Sequence, residues 1–426
     1  MAGGVGASDG VASGAGISMK ILFLTQWFDP EPAFKGLAFA RALVDRGHQV
    51  EVLTGFPNYP GGRLYPGYRV KLRQRESMEG IGITRVALYP SHDGSAIRRV
   101  ANYMSFAFAA ATIGVFSVQQ PDVVYVYHPP VTIAFPAMVL RAVRGVPFVL
   151  DIQDLWPDTL AVTGMVANQW VLRAVGKFCG IAYRSAARIA VLSPGFRQIL
   201  IARGVPAEKM EVIYNWCDES AITRTQPDAP ILKEAGIEGR FNVVFAGTMG
   251  HAQALSSVLH AARLVAEKAP RVQFVFVGGG VEVAALKAEV AEMALPNVRF
   301  LPIRPAVEVG PLLAAADVLL VHLRDAPLFS ITIPSKTQAY MAAGRPILMA
   351  VRGDAAVLVR DARAGVCVSP EDPDALATAV CELSGRAPDQ LAQMGARGRA
   401  HYRQHLSFSA GVDRFEALFR KAVLAA

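Results

Sequence analysis

The sequence predicts two doubly wound parallel α/β domains in tandem, and three observations carry that prediction. Short apolar runs rich in Val, Ile, Leu and Phe alternate with longer amphipathic runs. The alternation breaks once, around 220–235, and then restarts. The chain has 426 residues, 52% hydrophobic and 18% charged, which exceeds one ordinary core and divides into two domains of roughly 200 residues. Continuous apolar strands separated by helices belong to a parallel sheet covered on both faces.

The elements follow in order. Residues 1–18, MAGGVGASDGVASGAGIS, lack the basic start and apolar centre of a signal peptide and read as a disordered extension. A strand begins at once after Met19, a candidate start. The first domain, 19–225, has strands near 20–25, 49–54, 83–88, 123–128, 147–152 and 188–193. The second, 226–406, has strands near 242–246, 272–277, 298–303, 317–323 and 346–351. A last amphipathic run within 407–426 is long enough to cross back to the first domain. Both domains are therefore Rossmann-like. Such sheets bind ligands at the carboxyl ends of their strands, and two such edges predict an interdomain cleft.

Composition narrows the function. Cys179, Cys217, Cys367 and Cys381 have neither CxxC nor CxxH spacing, so no zinc site or disulfide framework is expected and a reducing cytoplasm fits. The net charge is +8, and residues 1–225 carry 22 Lys/Arg against 16 Asp/Glu. No nucleic-acid motif accompanies this basic half, leaving anionic lipid or a phosphorylated substrate as its partner.

Four segments carry candidate chemistry. In 46–69, RGH reads as a helix end, whereas the aromatic loop from Phe56 to Arg69 suits substrate contact or plain packing. In VPFVLDIQDLWPDTL, Asp151, Asp154 and Asp158 surround a strand end facing the cleft, and the plainer alternative makes Asp154 or Asp158 a helix N-cap. In VVFAGTMGHAQAL, Gly247 and Gly250 let backbone approach a ligand and the helix start at 248–253 suits phosphate. VFVGGG at 275–280 is a weaker signal of the same kind. The IPSKTQAY stretch puts Lys336 at a helix opening beside Ser335 and Thr337, either as a diphosphate site or as a solvated lysine beside a capping serine. Asp372 and Asp374 form a literal DxD, read as a helix start and not as a metal site because Pro373 suits a first turn and the acids suit the dipole.

The ordered set RGHQVEVLTGFPNYPGG, DLWPDTL, VIYNWCD, FAGTMGHAQAL and IPSKTQAYMAAGRPI resembles the WbuB-type branch of the retaining glycosyltransferases of family four, over nearly the whole chain from Met19. The resemblance implies a GT-B fold, an acceptor bound mainly by the first domain, a nucleotide diphosphate sugar, taken as a UDP-sugar, bound mainly by the second, and no metal or other cofactor. It also implies hexosyl or N-acetylhexosaminyl transfer in O-antigen, capsule or other cell-envelope saccharide synthesis. Three departures stand out. Where many members carry an Arg and a Lys after the first strand of the second domain, this chain reads TMGHAQALSS, and the glutamates of their E-x7-E are Ile331 and Ala339. A histidine that many members place after the fifth strand is replaced by Gln153 and Asp154.

The site candidates follow. For the donor they are Gly247, Thr248, Met249, Gly250, His251, Gln253, Arg304, Thr332, Pro334, Ser335, Lys336 and Gln338; for the acceptor, Lys35, Gly36, Phe56, Asn58, Tyr59 and Trp156. Lys336 and Asp154 are the catalytic candidates, Lys336 opposing charge on the departing diphosphate and Asp154 orienting the acceptor or taking its proton. The acceptor is lipid-linked or a saccharide. A sugar-nucleotide epimerase of the same architecture and a non-catalytic sugar-nucleotide binder are the competing readings.

From Val100 to Pro121 no residue is charged. This run is expected to be a crossover helix, buried on the sheet or resting one aromatic face on anionic lipid together with Arg63, Arg69, Lys71, Arg73 and Arg75. The second reading places the protein peripherally on the inner face of the cytoplasmic membrane.

Overall fold

A computed structural model of the protein describes residues 18–91, 96–162, 165–222, 233 and 236–425. The expected extension, apart from Ser18, and most of the 220–235 break lie outside the described residues. The chain forms two compact units. One ends at Ala187 and takes in the chain again from Phe419; the other is Arg188–Leu418.

The first unit contains β1 (Lys20–Leu24), β2 (Gln49–Gly55), β3 (Arg73–Met78), β4 (Ile81–Val86), β5 (Val123–His128) and β6 (Phe148–Ile152), in the order β3-β4-β2-β1-β5-β6. All neighbours are parallel except β3, which runs antiparallel to β4. β5 is buried at every position, as expected of a strand covered on both faces. The apolar run forms a helix, Ala96–Ala109, that continues through a π-helical turn, Ala110–Gly114, to Val115–Ser117. Gly114 lets it close on β2, because a Cβ there would lie 2.8 Å from the Leu53 side chain. Ile97–Ser117 is long and apolar enough to cross a membrane by length and composition, with half of it buried. Phe106, Ala110 and Val115 face the core, whereas Val100, Met104, Phe108 and Phe116 are exposed. From the C-terminal helix Phe408–Val423, Phe419 packs on Tyr125 with ring centroids 5.6 Å apart.

The second unit begins with the parallel pair β7 (Arg188–Val191) and β8 (Met210–Val212). The turn after β7 is held within this unit: Ser193 Oγ donates to the Ile331 carbonyl at 2.6 Å, and the Gly195 N–H donates to Asp354 at 2.7 Å. Then come β9 (Phe241–Ala246), β10 (Val272–Val277), β11 (Val298–Leu301), β12 (Val318–His322), β13 (Ile347–Ala350) and β14 (Gly365–Cys367), in the parallel order β11-β10-β9-β12-β13-β14. Alternate residues feed two cores. Val244, Val275, Leu319 and Ile347 pack on one face, and Val243, Phe274, Val318 and Leu348 on the other. The strand order reverses between β9 and β12, and the carboxyl edge at such a switch point is where open α/β sheets hold ligands.

Three strands escape the apolar pattern. β3, RQRESM, is an edge strand whose exposed and half-buried positions carry almost no apolar residue; β8 and β14 are three residues each. Asp372 is an N-cap, accepting the Ala375 N–H at 2.9 Å ahead of Pro373, so the DxD acids belong to a helix start.

Candidate functional site

At the switch point of the second unit two glycine loops interlock. The Gly247 N–H donates to the Val277 carbonyl at 2.9 Å and the Met249 N–H to Gly279 at 2.8 Å. Gly278 and Gly280 have φ of 134° and 151°, and a Cβ on either would lie 2.2 Å from a carbonyl oxygen of the facing loop. That contact explains the VGGG run: only glycine admits the GTMG backbone so closely. Gly247 and Thr248 are exposed. The Met249 side chain is not part of this surface; it is fully buried in the core, and only its backbone shapes the loop.

The helix expected from 248–253 is also displaced. A single 3₁₀ turn, His251–Gln253, is followed by Ala254 in the left-handed region at φ 45°, and the long helix starts at Leu255. Gln253 is used internally, its side chain accepting the Gly250 N–H at 2.9 Å. Its carbonyl lies 2.7 Å from Nδ1 of the buried His322, whose Nε2 accepts the Glu371 N–H at 3.2 Å. An N–H can only donate, so the proton sits on Nδ1 and the ring is neutral; burial holds its pKa below the usual value. His251 is exposed and pairs with Glu282 at 2.8 Å.

Lys336 lies one residue into the helix Ser335–Ala343, which opens at Pro334 with no side-chain cap. The alternative of a solvated lysine beside a capping serine is therefore not what forms. Its Nζ sits 3.5 Å from the centroid of the Phe245 ring on β9, 3.4 Å from where a Cβ on Gly247 would be, and has no hydrogen-bond partner among the described residues. Burial lowers its pKa to about 7. Tyr340, one turn further on, fastens this helix to the end of β9: its hydroxyl accepts the Ala246 N–H at 2.8 Å and donates to the Ala246 carbonyl at 3.2 Å.

The remaining donor candidates divide. Ser335 is exposed at the helix opening. Thr332 donates back to Leu328 at 2.7 Å, and the buried Gln338 amide donates to the Pro334 and Ser335 carbonyls at 2.8 and 3.1 Å. Arg304 pairs with Glu308 at 3.4 Å, two residues beyond the strand-end proline and next to Ile303, whose side chain crowds Gly279. Gly247, Thr248 and Lys336 thus come together at the switch point. Such a site, with glycine backbone, an uncapped helix start and an unpaired cation, suits a phosphate-bearing ligand.

In the first unit the candidates separate into a surface and its support. Asp154 is half-buried, and desolvation raises its pKa above the usual carboxylate value. The helix that follows starts only at Asp158, four residues on, so Asp154 is not its N-cap. Around this carboxyl stand Tyr103 and Tyr127, both sensing its charge, and an aromatic cluster: Trp27 to Tyr59 at 4.7 Å, Trp27 to Tyr103 at 6.3 Å, and Tyr103 to Trp156 at 6.5 Å between centroids.

Lys35, Phe56 and Asn58 lie beneath, buried. Lys35 bonds Asp151 at 2.6 Å, and the same carboxylate accepts from Tyr125 at 2.6 Å and Gln153 at 2.7 Å. Asn58 joins a network with Glu31 and Asn102. Gly36 is required by packing, since a Cβ would lie 2.3 Å from the Asp29 carboxylate. Sequence reading missed His128, the last residue of β5. It is fully buried, 5.8 Å from the Trp156 ring, with neither ring nitrogen hydrogen-bonded, and burial lowers its pKa to about 3. A polar residue ending a wholly apolar strand was the available signal. It also missed Trp27, Tyr103 and Phe245, which are ordinary core-like aromatics until the fold assembles them.

Residues 37–216 match the family of glycosyl transferase 4-like domains, and residues 240–386 match glycosyl transferases group 1. The chain is 27% identical over 306 residues to the Pseudomonas aeruginosa protein WbjE, named as a glycosyltransferase, covering 70% of this chain and 74% of that one. It is 26% identical over 358 residues to Escherichia coli K12 WcaI, named as a colanic acid biosynthesis glycosyl transferase, covering 79% and 84%. Among solved structures, Anabaena HepE in complex with UDP and glucose superposes with a TM-score of 0.66 at 19% identity over 94% of this chain and 99% of that one. The α,α-trehalose 6-phosphate synthase of Burkholderia multivorans gives 0.69 at 13% identity over 96% and 98%. With two Rossmann-like parallel-sheet units and glycosyltransferase family matches over both, the chain is a GT-B glycosyltransferase.

Proposed function

We propose that this glycosyltransferase moves a hexosyl or N-acetylhexosaminyl group from a UDP-sugar, with retention of configuration and without a metal, onto a lipid-linked or saccharide acceptor in cell-envelope polysaccharide synthesis. The donor side is carried by 226–406 and the acceptor side by 19–225. The observation that carries the reading is the Lys336 ammonium, buried, unpartnered and set over an aromatic ring at the switch point. Removing a cation from water without a counter-charge is costly, so a site of this kind is best explained by an anion that arrives with the substrate. The UDP complexes of the HepE fold relative support a nucleotide sugar, and the colanic acid biosynthesis in the name of WcaI supports a polysaccharide product.

The chemistry follows from the residues. As the sugar–diphosphate bond breaks, negative charge grows on the leaving phosphate; the Lys336 ammonium and the Ser335 and Lys336 N–H groups at the helix opening stabilise it, the Thr337 N–H being taken by the Pro334 carbonyl at 2.8 Å. Arg304 and His251 are second candidates for that charge. On the other side, aromatic faces of Trp156 and Tyr59 suit a sugar ring. Asp154, whose pKa burial raises above the usual carboxylate value, holds the acceptor hydroxyl or takes its proton.

Membrane-surface association on the cytoplasmic side is part of the proposal. The exposed face of Ile97–Ser117 lies next to Leu72, itself 74% exposed, and Arg73 and Arg75 both donate to Ser117 at the end of that helix. Apolar and basic groups are thus adjacent, as interfacial binding requires.

The test is nucleotide release from UDP-sugars with and without lipid-linked and free saccharide acceptors. Acceptor-dependent release with a new glycosidic product supports transfer. Interconversion of the donor alone would indicate an epimerase, and binding without turnover a non-catalytic protein.

A further inference from the structure

The first unit holds a cavity that none of the residues assigned above explains. It has a volume of about 540 Å³, within the roughly 300–1,000 Å³ of small-molecule sites. Two helices form its long walls. Ala96–Ala109 contributes Val100, Tyr103, Met104, Ala107 and Phe108; Gln169–Ser185 contributes Val171, Ala174, Val175 and Phe178. Each set follows the i, i+3, i+4, i+7 spacing by which one helix normally packs on another. Here the two stripes stand apart across the cavity, and Val131, Phe135, Leu160 and Val166 close the remaining sides.

The walls differ from an ordinary ligand site in having almost no polar group along their length. Arg99, the hydroxyl of Tyr103 and Thr132 are the exceptions, and the Thr132 hydroxyl is directed to the Tyr103 carbonyl at 3.5 Å. A ligand body lying here receives no hydrogen bonds, which selects hydrocarbon. The mouth is apolar too: Met104 is 55% and Phe108 65% exposed. At the other end the cavity reaches Tyr103 and Trp156, and the Tyr103 hydroxyl senses both Arg99 and Asp154. The cavity thus includes a cation, Arg99, beside Tyr103, which belongs both to the apolar wall and to the aromatic cluster around Asp154.

We infer that this cavity takes one hydrocarbon chain of a membrane phosphate lipid that carries the acceptor sugar, with the phosphate at Arg99 and the sugar at the aromatic cluster. The inference rests on the acceptor-side reading of Asp154 and chooses a lipid-linked acceptor over a free saccharide. The charge order matches such a molecule: apolar chain, anion, then sugar, against apolar stripes, Arg99, then Trp156, Tyr59 and Asp154.

Binding is measured without turnover, by calorimetry of the full-length protein with decyl phosphate and with ethyl phosphate, both monomeric. Decyl phosphate is expected to bind and ethyl phosphate not, with affinity rising about fourfold per methylene buried along an alkyl series. Val171→Glu and Met104→Glu, at exposed wall positions, should abolish decyl phosphate binding while UDP affinity is unchanged, which certifies the fold. Arg99→Gln should weaken alkyl phosphate binding several-fold but leave decanol binding unaltered. Equal decyl phosphate binding by wild type and both glutamate variants overturns the assignment. So does a concentration-dependent dimer, seen by sedimentation, that the same variants dissolve, because the cavity face would then belong to a second copy. If chain-dependent binding is lost in the variants while transfer to free saccharides equals transfer to lipid-linked ones, the cavity stands and the acceptor reading falls.

Discussion

Each unit buries one lysine near its candidate site, and the two are held in opposite ways. Lys35 is fully buried against Asp151, whose carboxylate is also bonded by Tyr125 and Gln153. Lys336 has no anion beside it among the described residues; beneath its ammonium is the Phe245 ring. Burial lowers the pKa of both, but the Asp151 charge works against that lowering for Lys35, and nothing does for Lys336. A cation neutralised from within serves the fold, whereas one left for an external partner serves a ligand. The contrast also moves Lys35 from acceptor contact to support of the strand end that carries Asp154.

The contrast breaks most visibly in stability. Lys35→Met leaves Asp151 buried without its cation, and the expected loss is about 3–5 kcal/mol, read by urea denaturation. Lys336→Met removes a buried charge that has no partner, so its midpoint should stay or rise. Equal losses would erase the distinction. Next in size is donor binding: Lys336→Ala should weaken UDP-sugar affinity by about 1.5–3 kcal/mol, as for hydrogen bonds to charged groups. Calorimetry giving an unchanged affinity would remove Lys336 from the donor site.

A smaller effect sharpens the acceptor side. Asp154→Asn should lower turnover by more than tenfold, about 1.4 kcal/mol, with donor affinity little changed. Wild-type turnover would leave Asp154 without a chemical role. The gentlest test is pH. The free Lys336 titrates near 7 and a bound diphosphate raises that value, so donor affinity should be full below pH 7. It should fall by up to tenfold per unit as pH rises above it, until the pKa of the complex is passed. Lys336→Arg, charged throughout, should flatten the profile; the same slope in both proteins would assign the titration elsewhere.

What was legible in the sequence was whatever is encoded locally. Strands buried on both faces announce themselves as unbroken apolar runs, so KILFLT, VVYVYH and VQFVFV were readable. The RQRESM edge strand was not, since half its surface meets solvent and its pairing partner supplies the order. Gly247 and Lys336 were readable as a loop and a helix opening. That Met249 points inward while Thr248 stays outside depends on how GTMG docks on VGGG, a contact between segments about thirty residues apart. Lys35 and Lys336 are indistinguishable as letters, because their fates depend on Asp151 and Phe245, far away in the chain. The apolar run 100–121 was visible, but that it stands across a gap from a second stripe was not.

The Tyr340 hydroxyl, bonded twice to Ala246, has a consequence for how quickly the donor can be recognised. It stitches the helix bearing Lys336 to the strand that ends at Gly247, so the cation and the glycine loop are carried by one rigid piece. The seat proposed for the phosphates would then exist before any ligand arrives, and little conformational entropy would remain to be lost on capture. Tyr340→Phe, which deletes both bonds and keeps the ring, would loosen that seat; the cost should fall on the rate of donor association, leaving the fold itself largely intact.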